Sequence, residues 1–502
     1  MSSSPFSKFS RQSPLGIVIN YGVLLYKLVK SFWVFIPIFF SDSIVNKGFY
    51  ILNISGVLIV LLLLVAIVQF LFFKFKIEGD QFILNKGLIF KNKTAIPIER
   101  IQSVNFKQNI LHQLVGVTQV EIQTAGAKEV EVSIKAVTKA VAKALKSELQ
   151  KTTLVKKSEN EGVENPVFQS EKRRVVYALS FLDLLKVSFS ENHLRSFFWI
   201  LAITFSFGYQ LADIVEDWNF ADEMIQYVVL NKEEIVSSLL GLSVLLVVGV
   251  VISVVVSFLR VVLRHFDQKV RYQDEGIEVS EGLLTKREDV LKIKKIQTII
   301  QVTNPIKRAM GIETVKINQA GSAKMKQKKL VELVGVKAQF ALELMELFYK
   351  TEGADVKERF NPAPYFMYRM FVRTFLFLIV VNVLFFFNSS TLLEFFLINV
   401  LLIPSSLYLV YLKKNKTYFE FKGEKLVVGD GKITTITTGL EYYKTQNIKL
   451  VQSIIQKRRG VATIKIQTAS GVVVLPCLFQ SDALKIQEKI LTKVENSTRD
   501  WI

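Results

Sequence analysis

The sequence predicts a polytopic α-helical membrane protein that carries three cytoplasmic β-rich modules, each a bent antiparallel sheet or barrel capped by a C-terminal helix. Three observations predict it. Long uncharged apolar runs recur in pairs, a fixed register of four residues recurs after each pair, and the signs of charge separate along the chain.

The apolar runs come first. The chain has 502 residues, half of them hydrophobic, with a mean hydropathy of +0.33, which is more apolar than a soluble protein of this size requires. Ile51–Phe73, Ile235–Leu259 and Phe395–Leu412 run for 23, 25 and 18 residues without a charge. At about 1.5 Å of rise per residue, such runs match a hydrocarbon core of roughly 30 Å. A weaker run precedes each one: Ser31–Ser41, Ser196–Ala212 and Thr374–Thr391. The first weak run has only 11 uncharged residues. It spans if its helix begins near Leu24 and lets Lys27 and Lys30 snorkel; a re-entrant or interfacial helix is the alternative. About six spans result.

The expected division follows. Residues 1–23 are an N-terminal cytoplasmic or interfacial segment, 24–73 the first helix pair, 74–155 module 1 and 156–195 a linker. Residues 196–259 are the second helix pair with its outer loop, 260–352 module 2, 353–373 a linker, 374–412 the third helix pair and 413–502 module 3.

Charge sets the orientation. Lys8, Arg11, Lys27 and Lys30 precede the first strong run with no acid among them, and Arg260–Arg373 holds 22 basic and 14 acidic residues. The loop Asp213–Glu234 holds seven acids against Lys232 alone. By the positive-inside rule that loop lies outside, and both termini and all modules lie in the cytoplasm. The formal charge of +20 is then explained by topology and anionic headgroups before nucleic acid. The single cysteine, Cys477, excludes an intramolecular disulfide and a multi-cysteine metal site.

The repeat defines the modules. Gly87, Gln102, Gly116 and Ala125 recur as Gly282, Gln297, Gly311, Ala320 and as Gly431, Gln446, Gly460, Ala469, with gaps of 15, 14 and 9 residues each time. Chance does not hold such a register three times, so one fold is repeated. Residues 82–90 read as strand, turn at Lys86-Gly87 and second strand, and Thr94–Ile98 continues the sheet. Val120–Thr124, Val315–Asn318 and Ile464–Thr468 alternate apolar and polar residues, which places one face in a core. Ile134, Val137, Val141, Leu145 and Leu149, and later Leu484, Ile486, Ile490, Leu491 and Val494, fall near helical spacing and close each module.

The string Gly87-Leu-Ile-Phe-Lys-Asn-Lys-Thr-Ala-Ile-Pro-Ile-Glu-Arg-Ile-Gln102, followed by Gly116-Val and Gln123-Thr-Ala-Gly126, resembles the YdbS/YdbT type of bacterial pleckstrin-homology-like membrane protein in its longer, triple-module form. The resemblance covers the chain from about residue 13 onward. It implies a PH-like fold for each module, attachment to paired membrane helices of the bacterial inner (plasma) membrane, and a role in the cell envelope such as stress or antimicrobial tolerance. The third copy departs furthest: Arg100-Ile101-Gln102 becomes Lys295-Ile296-Gln297 and then Lys444-Thr445-Gln446, and Pro97 has no equivalent at Lys292 or Glu441.

Two sets of residues are candidates for binding. Arg100 and Gln102, Lys295 and Gln297, and Lys444 and Gln446 form a recurrent basic-apolar-Gln element suited to a phosphate or an acidic partner, or to satisfying backbone groups inside the module. Lys74, Lys76, Arg260, Arg264, Lys413 and Lys414, just past the strong runs, and Arg173 and Arg174 in the first linker, are placed for headgroups or serve as topology anchors. His112, His193 and His265 lack the neighbours of known hydrolase or metal motifs, and no phosphate-binding glycine loop occurs. No catalytic residue, metal ligand or cofactor is therefore expected. His112 is expected to pack at a module surface. The expected function is a non-enzymatic membrane scaffold, with an accessory or oligomeric component of a transporter or exporter as the alternative and an unrecognised membrane enzyme as a third. The expected partners are the bilayer and its anionic headgroups, a smaller homologous membrane protein, or self-association, and no nucleic acid. Asn53, Asn382 and Asn399 within the apolar runs separate scaffold from transporter.

Overall fold

The computed structural model describes residues 6–32, 48–88, 91–124, 132–149, 175–191, 193, 196–199, 202, 239–273, 276–320, 331–348, 358–386 and 392–497. Twenty-one strands in four sheets form the bodies of the modules. This overturns the polytopic α-helical class. Among the described residues two helical stretches, Val247–His265 and Pro364–Val383, are long and apolar enough to cross a membrane, and Ser55–Leu71 is a shorter apolar helix. Hydropathy registers apolar runs wherever they lie, whereas fold class follows from what encloses the packed cores, and the three large cores lie between strands. Residues 33–47 and 203–238, which hold most of the first two weak runs and the acidic loop, lie outside the described residues.

Each module is built in the same order. In module 1 a short strand β1 (Ser10–Arg11) precedes the helices Gly16–Phe32 and Gly48–Leu71; β2 (Lys74–Glu78), β3 (Gln81–Lys86) and β4 (Asn92–Pro97) complete an antiparallel sheet in the order β1-β2-β3-β4. A second sheet follows from β5 (Ile101–Gln108), β6 (Val117–Thr124) and β7 (Val132–Thr138), and a helix over 139–149 closes the module. Module 2 repeats this with β8 (Val175–Ala178), helix Leu239–His265, β9 (Lys269–Gln273), β10 (Gly276–Glu281), β11 (Lys286–Lys292), β12 (Ile296–Thr303), β13 (Ile312–Gln319), β14 (Val331–Lys337) and helix Ala338–Phe348. Module 3 has β15 (Glu358–Phe360), helices Pro364–Phe386 and Leu392–Lys416, β16 (Tyr418–Lys422), β17 (Lys425–Gly431), β18 (Thr435–Glu441), β19 (Thr445–Val451), β20 (Val461–Thr468), β21 (Gly471–Phe479) and helix Gln480–Glu495. The strands β8 and β15 fall in the two stretches expected as linkers. Each adds to the sheet of the module that follows it.

The cores obey the alternation read from the sequence. Val120 and Ile122, Val315 and Ile317, and Ile464 and Ile466 are all buried, and the residues between them point outward. In module 1 they pack between the sheets against Phe75 and Phe82, whose rings stack at 6.1 Å, and under Leu145 and Leu149. Each such side chain contributes about 1.5–3 kcal/mol by burial.

Three local expectations change. Ile134 and Val137 belong to β7, not to the closing helix, because inward strand residues happened to continue the helical spacing. In module 3 the buried helical stripe is Ala483, Ile486 and Ile490, while Leu484 and Leu491 are exposed. The stretch after Gly87 is turn rather than strand at Leu88, and the next strand starts at Asn92.

The modules are joined edge to edge. β11 of module 2 pairs with β5 of module 1, and β18 of module 3 pairs with β12 of module 2, so two seven-stranded sheets run through the junctions. A buried ion pair, Lys146 Nζ to Glu278 Oε2 at 3.4 Å, reinforces the first junction, and Arg271 approaches the same carboxylate at 3.2 Å. At the second, Lys444 Nζ donates to the Ile296 carbonyl at 2.6 Å.

Candidate functional site

Antiparallel strands give every module two ends. One end receives the long helices. It also carries the turns at Gly87, Gly282 and Gly431, all with positive φ, and a short helix between the first two strands of the second sheet: Ile110–Leu114, Pro305–Ala309 or Ile454–Arg458. The opposite end carries the turns at Gly79 and Gly423 and the single 3-10 turns Ile98–Arg100, Ile293–Lys295 and Tyr442–Lys444.

At the helix end, the long helices are tied to the sheets by polar contacts. Arg264 pairs with Glu332 at 2.9 Å, and His265 Nδ1 lies 2.8 Å from Glu281 Oε2. Gln268 Nε2 donates to Glu281 at 2.6 Å and to the Glu332 carbonyl at 2.8 Å, and its Oε1 accepts from the Val334 amide at 3.0 Å. Burial alone would raise the Glu332 carboxyl, but the hydrogen bond and charge of Lys316, with Arg264 and His265, hold it below its ordinary value. In module 3 Lys413 pairs with Asp430, and Lys416 donates to the Ile433 carbonyl at 2.7 Å. The start of helix Pro364–Phe386 is fixed where the Ala363 amide donates to the Cys477 carbonyl at 2.7 Å.

The short helix is one element built three times. Asn109, Asn304 and Ser453 cap it, accepting from the amides of His112, Lys307 and Gln456 at 2.9, 2.7 and 3.2 Å; such a cap contributes about 1 kcal/mol. Those same three residues turn their side chains inward. His112 Nε2 lies 2.8 Å from the Lys135 carbonyl, Lys307 Nζ donates to Thr314 at 2.9 Å, and Gln456 Nε2 donates to Thr463 at 3.0 Å. His112 is therefore buried beneath the helix rather than packed at the surface. Burial depresses its pKa, the Lys135 carbonyl works against that, and Lys107 adds to it. Sequence reasoning missed this element, although Asn or Ser stands seven residues before the repeated glycine in every copy.

What the short helices present outward is apolar with flanking cations. Leu114 and Ile454 are each 78% exposed, Ile306 48%, and Ile433 on the neighbouring turn 55%. Arg308, Lys457, Arg458 and Arg459 are exposed beside them. The junctions align these tips: Gln113 Nε2 on the first short helix donates to the carbonyls of Leu283 and Leu284, on the turn of module 2, at 3.2 and 3.0 Å. The three modules thus share one apolar and basic rim on the side where the helices enter.

The expected basic-apolar-Gln element lies at the far end instead. Arg100 is exposed, Lys295 is half-buried, and Lys444 is buried against Glu441 at 2.5 Å and across the junction. Gln297 is buried and Gln446 exposed; the Gln102 backbone lies in β5. The structure does not bring the six onto one common surface. Of the helix-end cations, Arg264 and Lys413 are engaged by carboxylates of their modules, Lys76 pairs with Glu78 at 2.7 Å, and Arg260 reaches Ser196 and Ser257 at 3.4 Å. Lys74 is half-buried and Lys414 exposed at the rim. Arg173 and Arg174 lie outside the described residues. Asn399 donates to Asn382 Oδ1 at 2.6 Å between the helices of module 3. No group of three or more His, Cys, Asp or Glu placed to hold a metal occurs among the described residues.

The model of the family described as Bacterial PH domain matches three stretches of the chain, residues 31–153, 227–349 and 375–494. The chain is 23% identical over 488 residues to the UPF0699 transmembrane protein YdbT of Bacillus subtilis (strain 168), covering 93% of this chain and 94% of that relative. The triple PH-like reading and the resemblance that suggested it are borne out.

Proposed function

This chain belongs to the bacterial PH domain family, and from that premise we propose that it is a non-enzymatic, membrane-attached scaffold whose three modules rest on the bilayer by their common rim. The observation that carries the reading is the placement of exposed Leu114, Ile306, Ile433 and Ile454, with Arg308 and Lys457–Arg459, on the side where Val247–His265 and Pro364–Val383 enter. Isolated apolar side chains on a surface need no explanation, but a row of them beside span-length helices fits the headgroup boundary. The transmembrane description of the Bacillus relative supports attachment to a membrane, and the separation of charge along the sequence favours its cytoplasmic leaflet. Each basic residue near an anionic surface contributes about 1 kcal/mol. Three linked modules multiply weak contacts through effective concentration.

On this reading the far ends face the cytoplasm, where exposed Arg100 stands available to partners. The part in envelope stress or antimicrobial tolerance rests on the family resemblance alone. A transporter component would need polar groups open to a pathway in the helices; Asn382 and Asn399 bond to each other, which favours helix packing.

The test places an environment-sensitive fluorophore on Ile454→Cys and on Arg100→Cys of the full chain in vesicles, with quenchers attached at lipid headgroup depth. The expected result is strong quenching at 454, greater in anionic than in zwitterionic vesicles, and none at 100. Equal quenching at both, or quenching at 100 alone, would refute the rim as the membrane contact.

A further inference from the structure

The two internal junctions use one and the same register. In the second, Ile299 faces Gly439, Gln301 faces Thr437 and Thr303 faces Thr435; in the first, Phe106 faces Glu288 and Gln108 faces Lys286. Glu288 and Lys286 stand as far past Gly282 as Thr437 and Thr435 stand past Gly431, and Phe106 and Gln108 as far past Gln102 as Gln301 and Thr303 past Gln297. The chain has therefore solved one docking problem twice.

Its two ends leave the same problem open. β4 is the module 1 counterpart of β11 and β18, and β19 is the module 3 counterpart of β5 and β12, yet among the described residues neither has a strand on its outer side. Exposure follows. Thr298 and Ile299 of β12 are buried, while their equivalents in β19, Asn447 and Ile448, are exposed and half-exposed; Asn92, Lys93 and Ala95 of β4 are exposed. An unpaired edge offers a row of backbone donors and acceptors to any strand that fits.

We propose that the β19 edge of one chain pairs with the β4 edge of a second copy, in the register of the internal junctions: Ile96 opposite Asn447, Ala95 opposite Ile448, Thr94 opposite Lys449, Lys93 opposite Leu450 and Asn92 opposite Val451. A second copy is the occupant because, among the described residues, each chain presents one such edge of each kind, and because the chain itself shows that these two kinds pair. Pro97, which lacks an amide hydrogen, stands one residue beyond the paired stretch and does not obstruct it. No like charges oppose each other directly in the proposed register, whereas the internal junction already accommodates Arg287 opposite Lys107. The contact is head-to-tail, so repetition gives a ring if the rotation closes and a filament if it does not. It also keeps every rim on the same side, so successive chains enter one membrane plane. This inference stands apart from the proposed function, since it concerns edges rather than the rim.

Directly opposed residues of an antiparallel pair lie within disulfide reach, and their immediate neighbours face the other side of the sheet. Full chains carrying Ala95→Cys with one affinity tag are mixed in vesicles with chains carrying Ile448→Cys and another tag, then oxidised; Lys449→Cys replaces Ile448→Cys in the control. All three substitutions lie at exposed or half-exposed positions, and the native Cys477 is buried. The proposal expects a doubly tagged disulfide-linked dimer about tenfold above the control. Cross-linking no greater than the control, or of Ala95→Cys only to other membrane proteins, would overturn it.

Discussion

Strands β12 and β19 occupy the same place in successive modules, yet among the described residues one lies inside a seven-stranded sheet and the other at the edge of its sheet. Their residues differ less than their surroundings do: Ile299 and Ile448 are the same amino acid, the first fully buried and the second half-exposed. The difference teaches that burial at this position is conferred by the next module and not by the strand's own sequence. A PH-like module in this chain is therefore finished by its neighbour, and among the described residues the first and third modules each have one edge strand without an outer partner.

The largest expected effect comes from breaking a junction. Glu278→Ala leaves Lys146 buried between modules 1 and 2, and such loss of one partner from a buried pair costs about 3–5 kcal/mol. Lys489→Ala at the open end of module 3 removes an exposed pair with Glu358 and costs about 1 kcal/mol or less. Thermal unfolding of the two variants in detergent compares them, and equal losses would mean that the junction contributes nothing. Next in size is Ile299→Ala, expected to cost about 2–5 kcal/mol against a smaller loss for Ile448→Ala. A glycine control sharpens the contrast. Gly311 and Gly460 both have positive φ and open space around the missing Cβ, so valine at either is expected to cost the same, about 1–2 kcal/mol, from backbone strain alone.

The smallest effect distinguishes modules by pH. His112 is held neutral below its ordinary pKa chiefly by burial, so the unfolded chain binds the extra proton first and module 1 loses stability as pH falls below about 6.5. Lys307 and Gln456, not histidines, occupy the same position in the other modules. His112→Gln is expected to remove the acid sensitivity from module 1, measured by local hydrogen exchange at two pH values; persistence of the sensitivity would point to another group.

Much of the module was legible in the sequence. The turn at Lys86-Gly87 was expected and Gly87 has positive φ, and alternation in Val120–Thr124 and its equivalents marked the inward faces, because both signals are local. Fold class was not legible in the same way, since the apolar runs dominate hydropathy while the cores are assembled from short strands far apart in sequence. The polar residues under the short helices were hidden because His112, Lys307 and Gln456 share a position but no chemistry. The register of Arg100, Lys295 and Lys444 was visible, but not that Lys444 is buried at a junction, because that depends on Ile296, 148 residues away.

Hydrogen exchange of the dilute full chain in detergent tests the joined array most directly. Slow exchange in Ile296–Thr303 and Thr435–Glu441, with fast exchange in Asn92–Pro97 and Thr445–Val451, is the pattern that edge-to-edge modules predict. Equally fast exchange in β12, β18 and β19 would contradict it, for it would mean that the modules stand apart and that no strand is completed by its neighbour.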